Sequence, residues 1–398
     1  GASMYGFDAA TGEGTALFNL VNCGVNVDSL SLFVPNSGEY LCLVSGYGSG
    51  PNSEYTLELA TLKEVEASSL PQKTTLTLAA QYLGSDLRAD VLNFNRNSDK
   101  YRIEVTDYSE FNTEDDYSAG LTRLNTEIIS GKAPDILVVD GLPVEQYAAR
   151  GLLEDLYTYL DSDGELSRDD LFPSILAALE IDGKLYTAAP SFNLQTLVGR
   201  ASVVGSEPGW TVRELMDLYA SAPAGTSLLG NTTASSMLYT MMQFNFDQFV
   251  DWDTATCSFN SQDFIDVLNF CNMFPESYDY NSGNHESTPA LISSGRQLLA
   301  SYSANDFEQF QMYEAMFGGH LAFKGFPTSE GIGNVAVPTG SRLSISATCS
   351  DPEAAWSFVR TALLEETYPE DRYYYVNGYP LNKASFEKLK AKAMEKQY

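Results

Sequence analysis

Leu121–Leu160, LTRLNTEIISGKAPDILVVDGLPVEQYAARGLLEDLYTYL, decides the reading of the chain. Leu121, Leu124 and Ile128 recur at spacings of three and four, which predicts an amphipathic helix ending near Ser130. Gly131 supplies the left-handed residue that closes a helix, and Pro134 forbids its continuation. Ile136–Val139 is an unbroken apolar run and suits a strand buried on both faces. Asp140–Gly141 turns the chain, Pro143 pre-sets a first helical turn, and Gly151 ends that helix. Helix, buried strand, short loop and helix form one unit of an open α/β sheet. Ligands of such sheets sit off the carboxyl ends of the strands, which makes Asp140–Leu142 a candidate ligand-facing loop.

Upstream of this unit the pattern repeats. Thr74–Ala80 reads as a strand and Ser85–Asn93 as a helix with Leu87, Val91 and Phe94 on one face. Tyr101–Val105 alternates as a second strand, and Thr106–Asp116 is a polar loop. The order β-α-β-α-β over residues 74–140 predicts an α/β fold with a mostly parallel sheet. Residues 1–70 differ. Short β runs are separated by Thr11–Gly12, Asn36–Ser37–Gly38 and a Gly-rich cluster at Gly46–Asn52, about the size of one four-stranded antiparallel sheet. The phrase Tyr5-Gly6-Phe7-Asp8 leading to Thr11-Gly12 reads like part of a propeller blade.

Downstream, Asp182–Gly183 is a hairpin turn and Leu185–Ala189 an expected strand. Thr211 and Glu214 form a capping box. Met237, Met241 and Met242 read as core filler, with a cofactor box the lesser alternative. Ser350-Asp351-Pro352-Glu353 opens a helix expected to run to Leu364, Tyr373–Tyr379 is turn-like, and Phe386–Tyr398 is a final helix.

Composition bounds the function. The chain has 398 residues and a formal charge of −30, which argues against nucleic acid and anionic lipid as partners. No apolar run approaches the length of a membrane span. Five widely spaced cysteines, no C-x-x-C and two histidines argue against a zinc site, and no cofactor is expected. Cys257 and Cys271 flank one helical segment and either pair or stand as two small buried hydrophobes. The acidic Asp161–Asp170 stretch does not meet the calcium-loop spacing and reads as helix capping, with metal the lesser alternative. No G-x-S-x-G, P-loop or H-E-x-x-H occurs, so an enzyme is not expected.

Five phrases then line up in order: Gly131-Lys132-Ala133-Pro134-Asp135-Ile136, Asp182-Gly183-Lys184-Leu185-Tyr186, Trp210-Thr211, Ser294-Gly295-Arg296 and Ser350 through Phe358. Together they resemble the extracellular solute-binding proteins of ABC importers, family 1, the maltose-binding-protein-like group. The resemblance covers roughly residues 72–385, and residues 1–70 look like the β-rich N-terminal extension of some gut Firmicutes solute-binding lipoproteins.

The resemblance implies a two-lobe, type II periplasmic-binding-protein-like fold with ligand in an interlobe cleft. Residues 72–192 plus 303–338 would form lobe 1, and 195–300 plus 341–398 lobe 2, with 1–70 as the extension. It implies capture of a carbohydrate, an oligosaccharide by expectation, for an ABC transporter permease. It further implies a monomer outside the cell, lipid-anchored in its full-length form. The same fold binding a peptide or a polyamine is the alternative, and a glycoside-processing enzyme the lesser one.

Aromatic faces for sugar rings, and carboxylates and amides for hydroxyls, are the side chains such a ligand needs. The loops after the expected strands and the expected crossings offer Tyr82, Tyr108, Glu110, Asp140, Phe192, Asn193, Gln195, Asn231, Tyr302 and Asn305. Tyr302 is the favoured stacking residue. The maltose-binding pattern has an acidic residue at the first crossing, where this chain carries an amide or apolar residue.

Overall fold

A computed structural model of the chain describes residues 2–47, 55–278, 286–328, 333–364 and 378–395. Most of the Gly46–Asn52 cluster and of Tyr373–Tyr379 lies outside the described residues. The chain divides into two compact units. One comprises Gly1–Ser191, Pro338–Val376 and Pro380–Leu389; the other comprises Phe192–Val337, Asn377–Tyr379 and Lys390–Tyr398.

In the first unit, Thr74–Ala80 is a central strand parallel to Tyr101–Asp107 on one side and Ile136–Val138 on the other. Leu76, Leu78, Ala79 and Ala80 are all buried, so both faces are covered at the strand's carboxyl end, while Thr75 and Thr77 stay exposed. The helices Ser85–Asn97 and Ala119–Ile129 make the crossovers. Leu124 and Ile128 are buried on the second of these, and Gly131 takes φ 75° just past its end. Leu343–Ile345 completes the sheet, antiparallel to Ile136–Val138. The expected strand Leu185–Ala189 shrinks to Lys184–Leu185 plus a single bridge from Ala188 to Leu343. Asp182 and Gly183 both take positive φ in the hairpin before it.

Among the described residues the N-terminal segment makes five strands in two sheets rather than one four-stranded sheet. Ser3–Phe7 pairs with Gly14–Asn19, and Leu30–Asn36, Glu39–Tyr47 and Tyr55–Leu62 form a meander. Phe18 meets Tyr40 edge-on at 5.3 Å, which joins the hairpin to one face of the meander. The opposite face leaves Leu32, Leu57 and Leu59 more than half exposed. Asn22 fastens the segment to the main sheet. Its amide donates to Val105 O at 3.1 Å and accepts from Val105 N at 2.8 Å, imitating a further strand on the sheet's edge. Arg88 adds an ion pair to Asp28.

The acidic Asp161–Asp170 stretch is consumed by structure. Asp161 pairs with Arg168, Asp170 caps Ser167, and Asp163 accepts from Trp356 Nε1 at 2.9 Å and from Arg360. Burial pushes the Asp163 carboxyl up, but hydrogen bonds from Glu165 N, Trp356 and Leu166 N, with the Arg360 charge, hold it below its ordinary value. The helix Pro352–Val359, which carries Trp356, is capped by Asp351 and gives way at Val359 to a 3-10 turn over Arg360–Ala362, short of the expected end at Leu364.

In the second unit, Gln297–Ala304 runs parallel to Ser227–Leu229 and antiparallel to Ser191–Arg200. Leu321–Phe323 pairs with the far side of Ser191–Arg200. One sheet face buries Leu197 and Leu299 with Trp210, Leu215, Met237, Met241 and Phe270. The methionines are therefore core residues. The capping box holds as read: Thr211 N donates to Glu214 Oε2 at 2.7 Å and Glu214 N to Thr211 Oγ1 at 3.2 Å. Cys257 is exposed and Cys271 buried, each a free thiol, and burial raises the Cys271 thiol to about 11.

The returning segments divide differently from the expectation of 303–338 with the first lobe and 341–398 with the second. Residues 303–337 stay with the second unit because Leu321–Phe323 pairs with Ser191–Arg200. Residues 338–376 and 380–389 return to the first because Leu343–Ile345 pairs with Ile136–Val138.

Candidate functional site

The register of the second unit's sheet builds a polar patch. Side chains alternate faces along a strand, and residues directly opposite on paired strands share a face. Gln195 stands opposite Ser303, and Leu197 opposite Ser301. The face that is core at Leu197 and Leu299 thus continues as Gln195, Ser301 and Ser303, all exposed. Asn193 follows on the same face, and Asn305 lies one residue past the end of its strand. Asn231 is exposed two residues beyond Leu229, which is in register with Leu299, so it stands at the same carboxyl end. Every one of these side chains is a neutral amide or hydroxyl. Asn193 Oδ1 and Asn305 Oδ1 are buried and accept no hydrogen bond from the described residues. A buried acceptor without a donor is costly, so both call for a donor from outside the chain.

The two aromatics expected here lie on the other face. Tyr302 is opposite Thr196 and packs edge-on against Tyr313 at 4.8 Å and Phe323 at 5.6 Å. Only 2 % of it is exposed. Burial, then the neighbouring Tyr379 hydroxyl, pushes its phenol far up. Phe192 is buried against Tyr379 at 5.9 Å, and Tyr379 donates to Asp306 O at 2.8 Å. Burial also raises the Tyr379 phenol to about 12. Neither Tyr302 nor Phe192 offers a free ring face, because strand parity sends even-numbered residues into this aromatic cluster. Thr233 is spent on capping the helix Ala234–Met242.

At the carboxyl end of the first unit's sheet the outcome is mixed. Tyr82 follows the central strand and is 60 % exposed, a free aromatic face. Tyr108 is buried, and its hydroxyl donates to Glu127. Burial and that bond push its phenol up, and the same bond lowers Glu127. Asp107 fixes the loop by accepting from Ser109 N at 3.0 Å, and Asn112 Oδ1 holds it by accepting from Gly120 N at 2.9 Å. Gly120 has to be glycine: a Cβ there would lie 1.9 Å from Tyr108 O. Glu110 is half-buried, with Oε1 unpartnered among the described residues. Asp140 accepts from Arg342 Nε at 2.7 Å and from Arg342 N at 3.2 Å. Its carboxylate is thereby paired. Sequence reasoning missed Arg342, whose partner is remote along the chain, and did not single out Ser301, the first residue of the expected strand exit Ser301–Asn305.

Residues 93–396 match the model of a family described as bacterial extracellular solute-binding protein. The match spans most of the chain, and the chain belongs to that family. It is a solute-binding protein and not an enzyme, and its fold is mixed α/β. No curated protein sequence is similar enough to count as a match.

Among solved structures the chain is similar to an extracellular solute-binding protein family 1 member from Alicyclobacillus acidocaldarius, at 18 % identity and TM-score 0.48, covering 81 % of this chain and 82 % of that one. It is also similar to the sugar-binding protein MalE from Xanthomonas citri, at 16 % and 0.46, covering 81 % and 84 %. A third is the ABC substrate-binding protein Lmo0181 from Listeria monocytogenes in complex with cycloalternan, at 17 % and 0.44, covering 82 % and 84 %. Among the described residues no helix is long and apolar enough to cross a membrane.

Proposed function

We propose that the protein captures a neutral, polyhydroxylated solute, an oligosaccharide, and delivers it to the permease of an ABC importer. In this reading it works outside the cell as a monomer tethered by lipid. The observation that carries the reading is the neutrality of the second unit's patch. Asn193, Gln195, Asn231, Ser301, Ser303 and Asn305 offer donors and acceptors without charge, the set that pairs with sugar hydroxyls. The orphaned Oδ1 atoms of Asn193 and Asn305 ask for donors, which hydroxyls supply. In the first unit, taken by itself, Tyr82 offers a ring face of the kind on which a pyranose stacks.

A polyamine needs several uncommitted carboxylates. Asp140 is held by Arg342, and Asp107 is buried in its own loop. A thermal-shift panel of neutral oligosaccharides, peptides and polyamines tests the reading. A solute at about 100 times its Kd stabilises the folded state by about 2.7 kcal/mol. That corresponds to about 5–10 °C for units of this size. A shift with polyamines or peptides alone would refute it.

A further inference from the structure

We propose that Tyr5, in the N-terminal hairpin, is a solute-contacting residue that forms a subsite with Glu110 and Tyr82. The subsite receives one ring of a neutral sugar, and the proposal rests on the carbohydrate reading above. The hairpin lies outside residues 93–396, the span matched by the family model.

Three observations carry the argument. The Tyr5 hydroxyl donates to Glu110 Oε2 at 3.3 Å, which brings the hairpin to the loop that follows the Tyr101–Asp107 strand, at the sheet's carboxyl end. Glu110 Oε1 is buried and has no donor among the described residues. A carboxylate holding a Tyr hydroxyl on one oxygen and nothing on the other has an acceptor left for a ligand hydroxyl. Lastly, two aromatic rings are exposed around this loop. Tyr5 is 50 % and Tyr82 60 % exposed, and Asn112 on the same loop donates to the Tyr82 hydroxyl at 3.5 Å. Two open rings beside an unsatisfied carboxylate oxygen make the donor, acceptor and stacking set that recognises a sugar ring.

The hairpin is held firmly enough to present Tyr5. Asn22 pairs both ways with the backbone of Val105, and Arg102 donates to Asn22 O at 2.6 Å. The ion pair between Arg88 and Asp28 fixes the segment a second time. Tyr5 contributes little as a clasp by comparison, since its one bond is long and half its surface is open.

The test is calorimetric titration of the full chain with the tightest binder from a panel of gluco-, galacto- and fructo-oligosaccharides. Tyr5→Ala should weaken binding about tenfold and Tyr5→Phe about threefold. Leu57→Thr, on the exposed face of the meander, should bind as the wild type does. Melting temperature is followed in each variant. Should Tyr5→Ala fail to fold, Tyr5→Phe and Tyr82→Ala carry the test, each with an expected loss of affinity at unchanged melting temperature. Wild-type binding that survives Tyr5→Ala within twofold overturns this inference alone. So does an affinity loss that only tracks a fall in melting temperature. If the wild type binds no oligosaccharide in the panel, the carbohydrate reading falls and this inference falls with it.

Discussion

Removing the Asp163 carboxylate should be among the most damaging single changes in the first unit. Its side chain is 6 % exposed, against 19 % for Arg360. It accepts from Glu165 N at 2.9 Å, Leu166 N at 3.1 Å, Trp356 Nε1 at 2.9 Å and Arg360 Nη2 at 3.0 Å. Asp163→Ala strands all of these donors. Breaking a buried pair from one side costs about 3–5 kcal/mol. Glu165 still reaches Arg360 Nη2 at 2.9 Å, which places the expected loss near the lower end, about 3 kcal/mol.

Asp163→Asn keeps an acceptor for the two backbone N–H groups and loses the charge, so about 1–2 kcal/mol is expected. By thermal melting the alanine variant should fall about 6–12 °C. The pH dependence follows from the lowered carboxyl. Its contribution is complete above the unfolded value near 3.9 and is lost as pH falls through the lower folded value. The gap between wild type and Asp163→Ala should therefore close below about pH 4. An alanine variant within about 1 kcal/mol of wild type at pH 7 would refute the claim that this carboxylate organises its loop.

Asn22→Ala should cost about 1–2 kcal/mol in urea denaturation and open the Val105 edge, seen as concentration-dependent association in size-exclusion chromatography. Gly120→Ala drives a Cβ into Tyr108 O and should cost about 3 kcal/mol or displace the loop carrying Glu110; melting temperature and oligosaccharide affinity fall together. Trp210→Phe leaves Gly325 O without the 2.8 Å bond it accepts from Nε1 and should cost about 1–2 kcal/mol by chemical denaturation.

Local chemistry was legible in the sequence where one residue decides a backbone state. Gly131 closes its helix at φ 75°, Asp182–Gly183 makes its hairpin, and Thr211 with Glu214 forms the reciprocal cap. The strand Thr74–Ala80 appears with the bounds read from its pattern, and the apolar run at Ile136–Val139 marks a strand whose residues are all buried. Remote pairings were not legible. Nothing near Leu343 says that it pairs with Val138, and so the division of the returning segments between the units cannot be read from their local sequence.

The geometry of the candidate site was legible only in part, for a related reason. Asn193, Gln195, Asn231 and Asn305 were picked from loops and crossings, and the structure gathers them at one carboxyl end. Tyr302 and Phe192 were picked by residue type, but strand parity turns them into the aromatic core. The sequence spacing held that signal: Tyr302 sits one residue from Ser301 and Ser303, so it cannot share their face.

Calorimetric titration of the wild type and of the Gln195→Ala/Ser303→Ala double variant tests the central claim most directly. Neutral oligosaccharides are titrated beside spermidine and a lysine-rich peptide. The wild type should bind an oligosaccharide at one site and neither charged solute. The double variant should bind it about 1–3 kcal/mol more weakly while melting at an unchanged temperature, since both side chains are exposed. Heat from spermidine or the peptide alone, or undiminished oligosaccharide binding by the double variant, would contradict the account.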